Sequence, residues 1–183
     1  TMHFHEKTIL LKDGRHALLR SPSVEDAEAL LHFLRSLSAE TDFVLACPEE
    51  SQRMTLEQET AFVRGKAESE NCLFLICEVD GQLAGTCEVN FFTHMKTAHR
   101  GAVAIGVRSA YWNLGIGTAM FQTMIDAARA RGLSLLELEF IEGNARARAL
   151  YEKMGFRIVA VKPDAFRLGD GKLYNEYMMQ LRL

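Results

Sequence analysis

The chain has 183 residues, 48% of them apolar and 25% charged, and a formal net charge of −3. One domain spanning residues 1–183 is expected, long enough to bury a core without disulfide or metal staples, and the lack of a basic stripe argues against a nucleic-acid partner held by phosphate neutralisation. No apolar run approaches the roughly 18 residues of a membrane span, and Thr1-Met2-His3-Phe4-His5 has neither the basic nor the apolar region of a signal peptide, so no membrane partner is expected and the default compartment is cytoplasmic.

Residues 9–11 and 17–19 read as short strands around Asp13-Gly14, a hairpin turn signal. Ser21-Pro22-Ser23 opens a helix, and Val24, Ala27, Leu30, Leu31, Leu34 and Leu37 keep helical spacing through it. Residues 38–54 read as a loop. Thr55-Leu56-Glu57-Gln58 has the form of a capping box and starts a second helix running to about residue 68. Apolar strands at 73–79 and 83–92 flank the turn pair Asp80-Gly81, and 101–107 is a third strand, small and apolar enough to be central. A long helix from 115 to about 131 ends in Arg129, Arg131 and Gly132, which suit a carboxyl terminus electrostatically and sterically. A strand at 133–141, a helix at 144–154, and a strand pair at 157–161 and 173–181 around Gly169-Asp170-Gly171 complete the chain. That alternation gives a mixed α/β sheet.

Cys47, Cys72, Cys77 and Cys87 show no C-x-x-C spacing, and three of them fall in strand-like segments where a thiol packs as a small hydrophobe. His3 and His5 make only a weak H-x-H pair, so no metal site is expected.

Residues 104–118 carry the chemistry: an apolar strand, a short polar turn, then Gly115-Ile116-Gly117 opening a helix. Glycines at that spacing let backbone N–H groups approach an anion, and the positive end of the helix dipole points at the same spot. A second signature follows, Asn144-Ala145-Arg146-Ala147-Arg148-Ala149-Leu150-Tyr151-Glu152-Lys153-Met154-Gly155-Phe156. It resembles the last helix of the Gcn5-related N-acetyltransferase (GNAT) family, and the order of elements is similar to that family's over essentially the whole chain.

The resemblance implies a mixed, mostly antiparallel sheet with a splayed central strand pair, flanked by about four helices. It implies acetyl-coenzyme A as acyl donor and direct transfer to a primary amine on a small molecule or peptide. The pyrophosphate would then lie on Asn113, Leu114, Gly115, Ile116, Gly117 and Thr118, with Trp112 where the family usually has Gln or Arg. Val107 would be the backbone contact of pantetheine, and the Ile105 N–H would face the thioester carbonyl as an oxyanion donor. Tyr151 would protonate the departing thiolate, and Asn144 would bond near the pantetheine amides. A homodimer is the oligomer that the resemblance suggests.

A general base is also needed, and residues 101–107 contain no acid. Glu88 leads, since Thr86, Glu88 and Asn90 share one strand face opposite Cys87, Val89 and Phe91; Glu139, Glu142 and Glu176 are alternatives. Residues 41–50 carry Asp42, Glu49 and Glu50, an acidic rim that would favour a cationic amine. His94 and His99 are candidate proton relays. Two rival readings stay open. One is a non-catalytic acyl-coenzyme A-binding sensor on the same fold. The other is a nucleotide-binding protein, against which Met120 stands in place of the third glycine of G-x-G-x-x-G.

Overall fold

The computed structural model describes residues 4–183. The first hairpin, β1 (Lys7–Leu10) and β2 (His16–Arg20), closes through Gly14 at φ +88°. A single 3-10 turn, Val24–Asp26, leads into α1 (Ala27–Glu40), which buries Leu30, Leu31, Phe33 and Leu37. The expected loop at 38–54 instead contains α2 (Pro48–Arg53). Pro48 sets the first helical φ, and the Glu50 carboxylate accepts from the Cys47 N–H at 3.0 Å. Six residues are too few to display an apolar stripe, so this helix left no periodic trace, and the described residues hold five α-helices rather than about four. In α3 (Leu56–Glu68) the capping box forms as written: the Gln58 N–H donates to Thr55 Oγ1 at 3.2 Å, and the Thr55 N–H to Gln58 Oε1 at 2.9 Å.

Five of the six later strands and two more helices follow in the expected order, close to the expected bounds: β3 (Cys72–Val79), β4 (Gln82–Phe91), β5 (Arg100–Val107), α4 (Ile116–Ala130), β6 (Leu135–Ile141), α5 (Ala145–Lys153) and β8 (Leu173–Arg182). The sixth, β7 (Arg157–Arg167), runs six residues past its expected end, across a register shift between Lys162 and Phe166. Its outer part is mostly exposed and includes Pro163 and Asp164, so no alternation marked it.

The eight strands form one sheet in the order β1-β2-β3-β4-β5-β6-β8-β7, antiparallel everywhere except at β5–β6. Cys87, Val89, Val103, Leu136, Leu138 and Phe140 cover one face and pack on Ile116, Met120, Phe121 and Met124 of α4 and on Tyr151 of α5. The other face carries Ile76 and Leu83 under Leu30, Phe33 and Leu37 of α1 and Val63 of α3. Cys72, Cys77 and Cys87 are buried in this sheet and Cys47 is exposed, with burial pushing the Cys77 thiol up to about 12. Among the described residues no helix is long and apolar enough to cross a membrane.

Candidate active site

The site begins with a defect in the sheet. β4 and β5 pair along their whole length, from Phe91↔Gly101 to Gly85↔Val107. At the two ends of this ladder the Phe92 N–H donates to the Arg100 carbonyl at 3.2 Å and the Arg108 N–H to the Ala84 carbonyl at 2.9 Å. In an antiparallel ladder only alternate residues bond to a given neighbour. The even-numbered residues of β5 therefore face β4, and Gly101, Val103, Ile105 and Val107 turn their N–H and C=O groups towards β6. Yet β6 matches β5 only at Arg100, Gly101 and Ala102. From Leu138 to Ile141 it pairs with β8 alone. A wedge opens between the strands, and the parity of the ladder turns the backbone groups of Ile105 and Val107 towards it. One of these groups is already engaged, because the Trp112 indole N–H donates to the Val107 carbonyl at 2.9 Å.

Below the wedge lies the loop into α4. Asn113 and Gly115 both take left-handed backbone conformations, φ +61° and +96°, which turn the chain so that α4 starts with the N–H groups of Ile116, Gly117 and Thr118 facing outward. The two glycines differ in kind. Gly115 has open space where a Cβ would stand, whereas a Cβ on Gly117 would meet Leu150 Cδ2 at 2.7 Å. The absent side chain at Gly117 leaves room for the end of the Leu150 side chain of α5.

Helix α5 lies against this loop through one stripe. Arg146 Nη1 donates to Asn113 Oδ1 at 2.9 Å and stacks over the Trp112 ring at 4.2 Å, Leu150 fills the space at Gly117, and Lys153 Nζ reaches Thr118 Oγ1 at 3.1 Å. The Lys12 N–H also ties the β1–β2 turn to the Leu114 carbonyl at 3.1 Å. Unpaired backbone donors at a helix start, open space at Gly115 and nearby cations suit the phosphates of a coenzyme A thioester, and the free edge of β5 suits its amide-bearing arm. Neither Arg146 nor Lys153 was singled out from the sequence; their spacing of seven about Leu150 was the available signal.

The remaining candidates fall on both faces of the sheet. Tyr151 is 8% exposed, its ring edge-on to Phe121 and Phe140, and burial pushes its phenol up to about 12. Its hydroxyl has no hydrogen-bond partner among the described residues and is not sealed from solvent. Asn144 caps α5, its Oδ1 accepting from the Ala147 N–H at 3.3 Å. On the opposite face, Glu88 sits beside Ala104 of β5. Its carboxylate is held by Lys66 Nζ at 2.5 Å and by Asn90 Nδ2 at 2.8 Å, so both oxygens are engaged.

Glu139 lies across the wedge from Ala104, two residues beyond the last rung of β6, and is exposed. Burial of its carboxyl, then the nearby Glu176 and Glu137, raise it above the ordinary carboxylate range. Glu142 accepts from the Asn175 N–H at 3.1 Å and from the Tyr177 hydroxyl at 3.3 Å, which leaves it less free. Glu176 lies 3.8 Å from Lys162. From the acidic segment after α1, the Phe43 ring stands 3.7 Å from where a Cβ on Gly143 would lie, and so comes near the turn that precedes α5. His94 lies beyond β4 in a turn closed by the Thr97 N–H donating to its carbonyl at 2.8 Å, and the His99 carbonyl accepts from the Ser134 and Leu135 N–H groups; neither is placed beside the wedge. His3 lies outside the described residues. Among those residues no group of three His, Cys, Asp or Glu side chains could hold a metal ion.

Comparison with known proteins fits this geometry. The Xenopus tropicalis protein named "Probable N-acetyltransferase camello" is 37% identical over 89 residues, 49% of this chain and 40% of that protein, so the match spans less than half of the relative's length. The crystal structure of an acetyltransferase of the GNAT family from Streptococcus pneumoniae superposes with a TM-score of 0.83 at 29% identity, covering 91% of this chain and 99% of that one. The same fold occurs in yncA of Salmonella typhimurium, a structure that contains its cofactor acetyl-CoA, with a TM-score of 0.76 at 18% identity over 91% of this chain and 94% of that one. Residues 31–156, more than half of the chain, match the model of the acetyltransferase (GNAT) family, and the chain belongs to that family.

Proposed function

We propose that this protein transfers an acetyl group from acetyl-coenzyme A directly to a primary amine carried by a small molecule or peptide. The observation that carries this reading is the wedge between β5 and β6, which joins the two faces of the sheet at one point. Tyr151 stands on the α5 face and Glu139 on the other, so donor and acceptor can approach from opposite sides and meet between an acid and a base.

When bound, the thioester supplies an activated acyl carbon and a thiolate leaving group. Ile105 offers its N–H to the developing oxyanion. The Tyr151 phenol, pushed up to about 12 by burial, stays protonated at neutral pH and can give its proton to the leaving sulfur. Glu139 is a better base than Glu88, because Lys66 and Asn90 occupy the Glu88 oxygens, whereas Glu139 is exposed and its raised carboxyl holds a proton more tightly once it has accepted one. No cysteine takes part: the buried thiols are raised by burial, which disfavours a covalent enzyme intermediate.

The test is release of free coenzyme A thiol from acetyl-coenzyme A in the presence of a panel of primary amines. Amine-dependent release that falls about 100-fold or more in Tyr151→Phe supports transfer. Tight coenzyme binding with no turnover of any amine would favour a non-catalytic sensor instead.

A further inference from the structure

Helix α1 ends on a fixed point beside the wedge. Glu40 Oε1 accepts from Arg108 Nε and Nη2, both at 3.1 Å, and Glu40 Oε2 accepts from the Ser109 N–H at 2.8 Å. A few residues on, the Phe43 ring stands 3.7 Å from where a Cβ on Gly143 would lie. The parallel register that pairs Arg100 with Leu135 puts Val107 level with Glu142, so the two anchors lie at one height on the diverging strands. Thr41 and Asp42 therefore cross the open end of the wedge, from the end of β5 to the end of β6. Asp42 is exposed, and among the described residues its carboxylate has neither a hydrogen bond nor a cation within salt-bridge distance.

Negative charge at this crossing has no counterpart in the fold. The Tyr174 phenol is raised first by its hydrogen bond to Asp170, and the charges of Asp42 and Glu142 add to this, so both acids stand near it. Further back along β6, Glu139 also lacks a cation within salt-bridge distance among the described residues. The neighbouring cations are engaged, Arg108 by Glu40 at 3.1 Å and Lys162 by Glu176 at 3.8 Å. On the other face of the same wedge the Tyr151 hydroxyl, on a side chain 8% exposed, has no partner and is open to solvent, a second group that awaits a ligand. We propose that Asp42 determines acceptor specificity by binding a second cationic group of the acceptor. The preferred acceptor is then a primary amine with another ammonium or guanidinium about 10 Å from the reacting nitrogen, the span of the strand from Glu139 to the crossing. This rests on the amine-transfer reading above and narrows it, because a singly charged amine satisfies Glu139 and leaves Asp42 unanswered.

Turnover of matched acceptors tests it. The ratio kcat/KM is compared between a terminal diamine and the amino alcohol of the same length, and between two short peptides whose second residue is lysine or norleucine. The doubly charged member of at least one pair should be favoured about 3- to 10-fold, between the worth of an exposed ion pair and that of a charge-assisted hydrogen bond. The pair that shows the preference tells whether the charge is carried on a free amine or on a peptide. Asp42→Asn should remove the preference through KM rather than kcat, and Asp42→Glu should keep it. Equal turnover within both pairs, or a preference undiminished in Asp42→Asn, overturns the proposal. If no amine is turned over at all, the transfer reading falls and takes the proposal with it, a result distinct from turnover without preference.

Discussion

The indole N–H of Trp112 donates to the carbonyl of Val107 at 2.9 Å, on the edge of β5 that opens onto the wedge. A ligand that lies along β5 like an added strand needs that same carbonyl. The indole and the ligand amide would then meet at one acceptor, so arrival of the ligand is expected to change the surroundings of Trp112 whether it shares that carbonyl or displaces the indole. Trp112 is the chain's single tryptophan and is 38% exposed, so tryptophan fluorescence reports on this place in the fold. Titration with coenzyme A is expected to change the emission with the dissociation constant found by calorimetry. Unchanged emission at saturation would show that the ligand does not lie along this edge of β5 beside Trp112.

Tyr151 offers two readouts with separate origins. As the proton donor, its loss in Tyr151→Phe should lower kcat by about two orders of magnitude or more while coenzyme affinity stays within a few-fold. Its burial also couples to stability. The phenol moves from its ordinary value of 10 to about 12 in the folded state, so the fold binds that proton more tightly than the unfolded chain does. The contribution is complete below pH 10 and is lost as pH rises through 12, a change of about 2–3 kcal/mol. Urea midpoints at pH 9 and pH 11.5 should fall less in Tyr151→Phe than in the unaltered protein. Cys77, also pushed up to about 12, titrates in the same window in both proteins and cancels in the comparison. Equal alkaline losses would show that the phenol is not desolvated in solution.

Glu139 and Glu176 are diagonal neighbours on adjacent strands, Glu139 opposite Met178 and Glu176 opposite Ile141, and their mutual repulsion adds to burial in raising the Glu139 carboxyl. A base must be ionised to act, so the acid limb of the kcat/KM profile should lie above the ordinary carboxylate range. Removing the like charge with Glu176→Gln should move that limb to lower pH, and Glu139→Gln should abolish it along with most of the rate. An acid limb that stays in place in both variants, with rates within twofold of the unaltered protein, would return the role of base to another group.

The strands and long helices were legible because their signals are local. The Thr55 capping box, the Asp80-Gly81 turn and the apolar stripe of α4 each depend on residues within a few positions of one another. Helix α2 and the outer half of β7 were not legible, one too short for a period and the other too exposed for an alternation. At the site, backbone roles could be anticipated from spacing, since Ile105 and Val107 share a side of β5 by parity. Side-chain pairings could not: Lys66 reaches Glu88 from 22 residues away and Arg146 reaches Asn113 from 33, and no pattern in one sequence encodes such a meeting.

Gly115 and Gly117 look alike in the sequence and answer to different physics. Gly115 needs its backbone conformation, φ +96° with nothing within 4 Å of the missing Cβ, while Gly117 needs room, with Leu150 Cδ2 at 2.7 Å from that position. Substituting Gly117→Val should cost about 1–3 kcal/mol through overpacking against Leu150. Leu150→Ala in the same chain should return part of that loss, so the double variant should be more stable than the sum of the two single changes. Gly115→Ala should cost about 1–2 kcal/mol for a left-handed residue with a side chain, and Leu150→Ala should return none of it, because no contact is involved. Urea unfolding of the five variants separates the two cases. Rescue at Gly117 but not at Gly115 assigns one glycine to helix packing and the other to the turn, whereas additivity at both would mean that Leu150 moves aside at no cost.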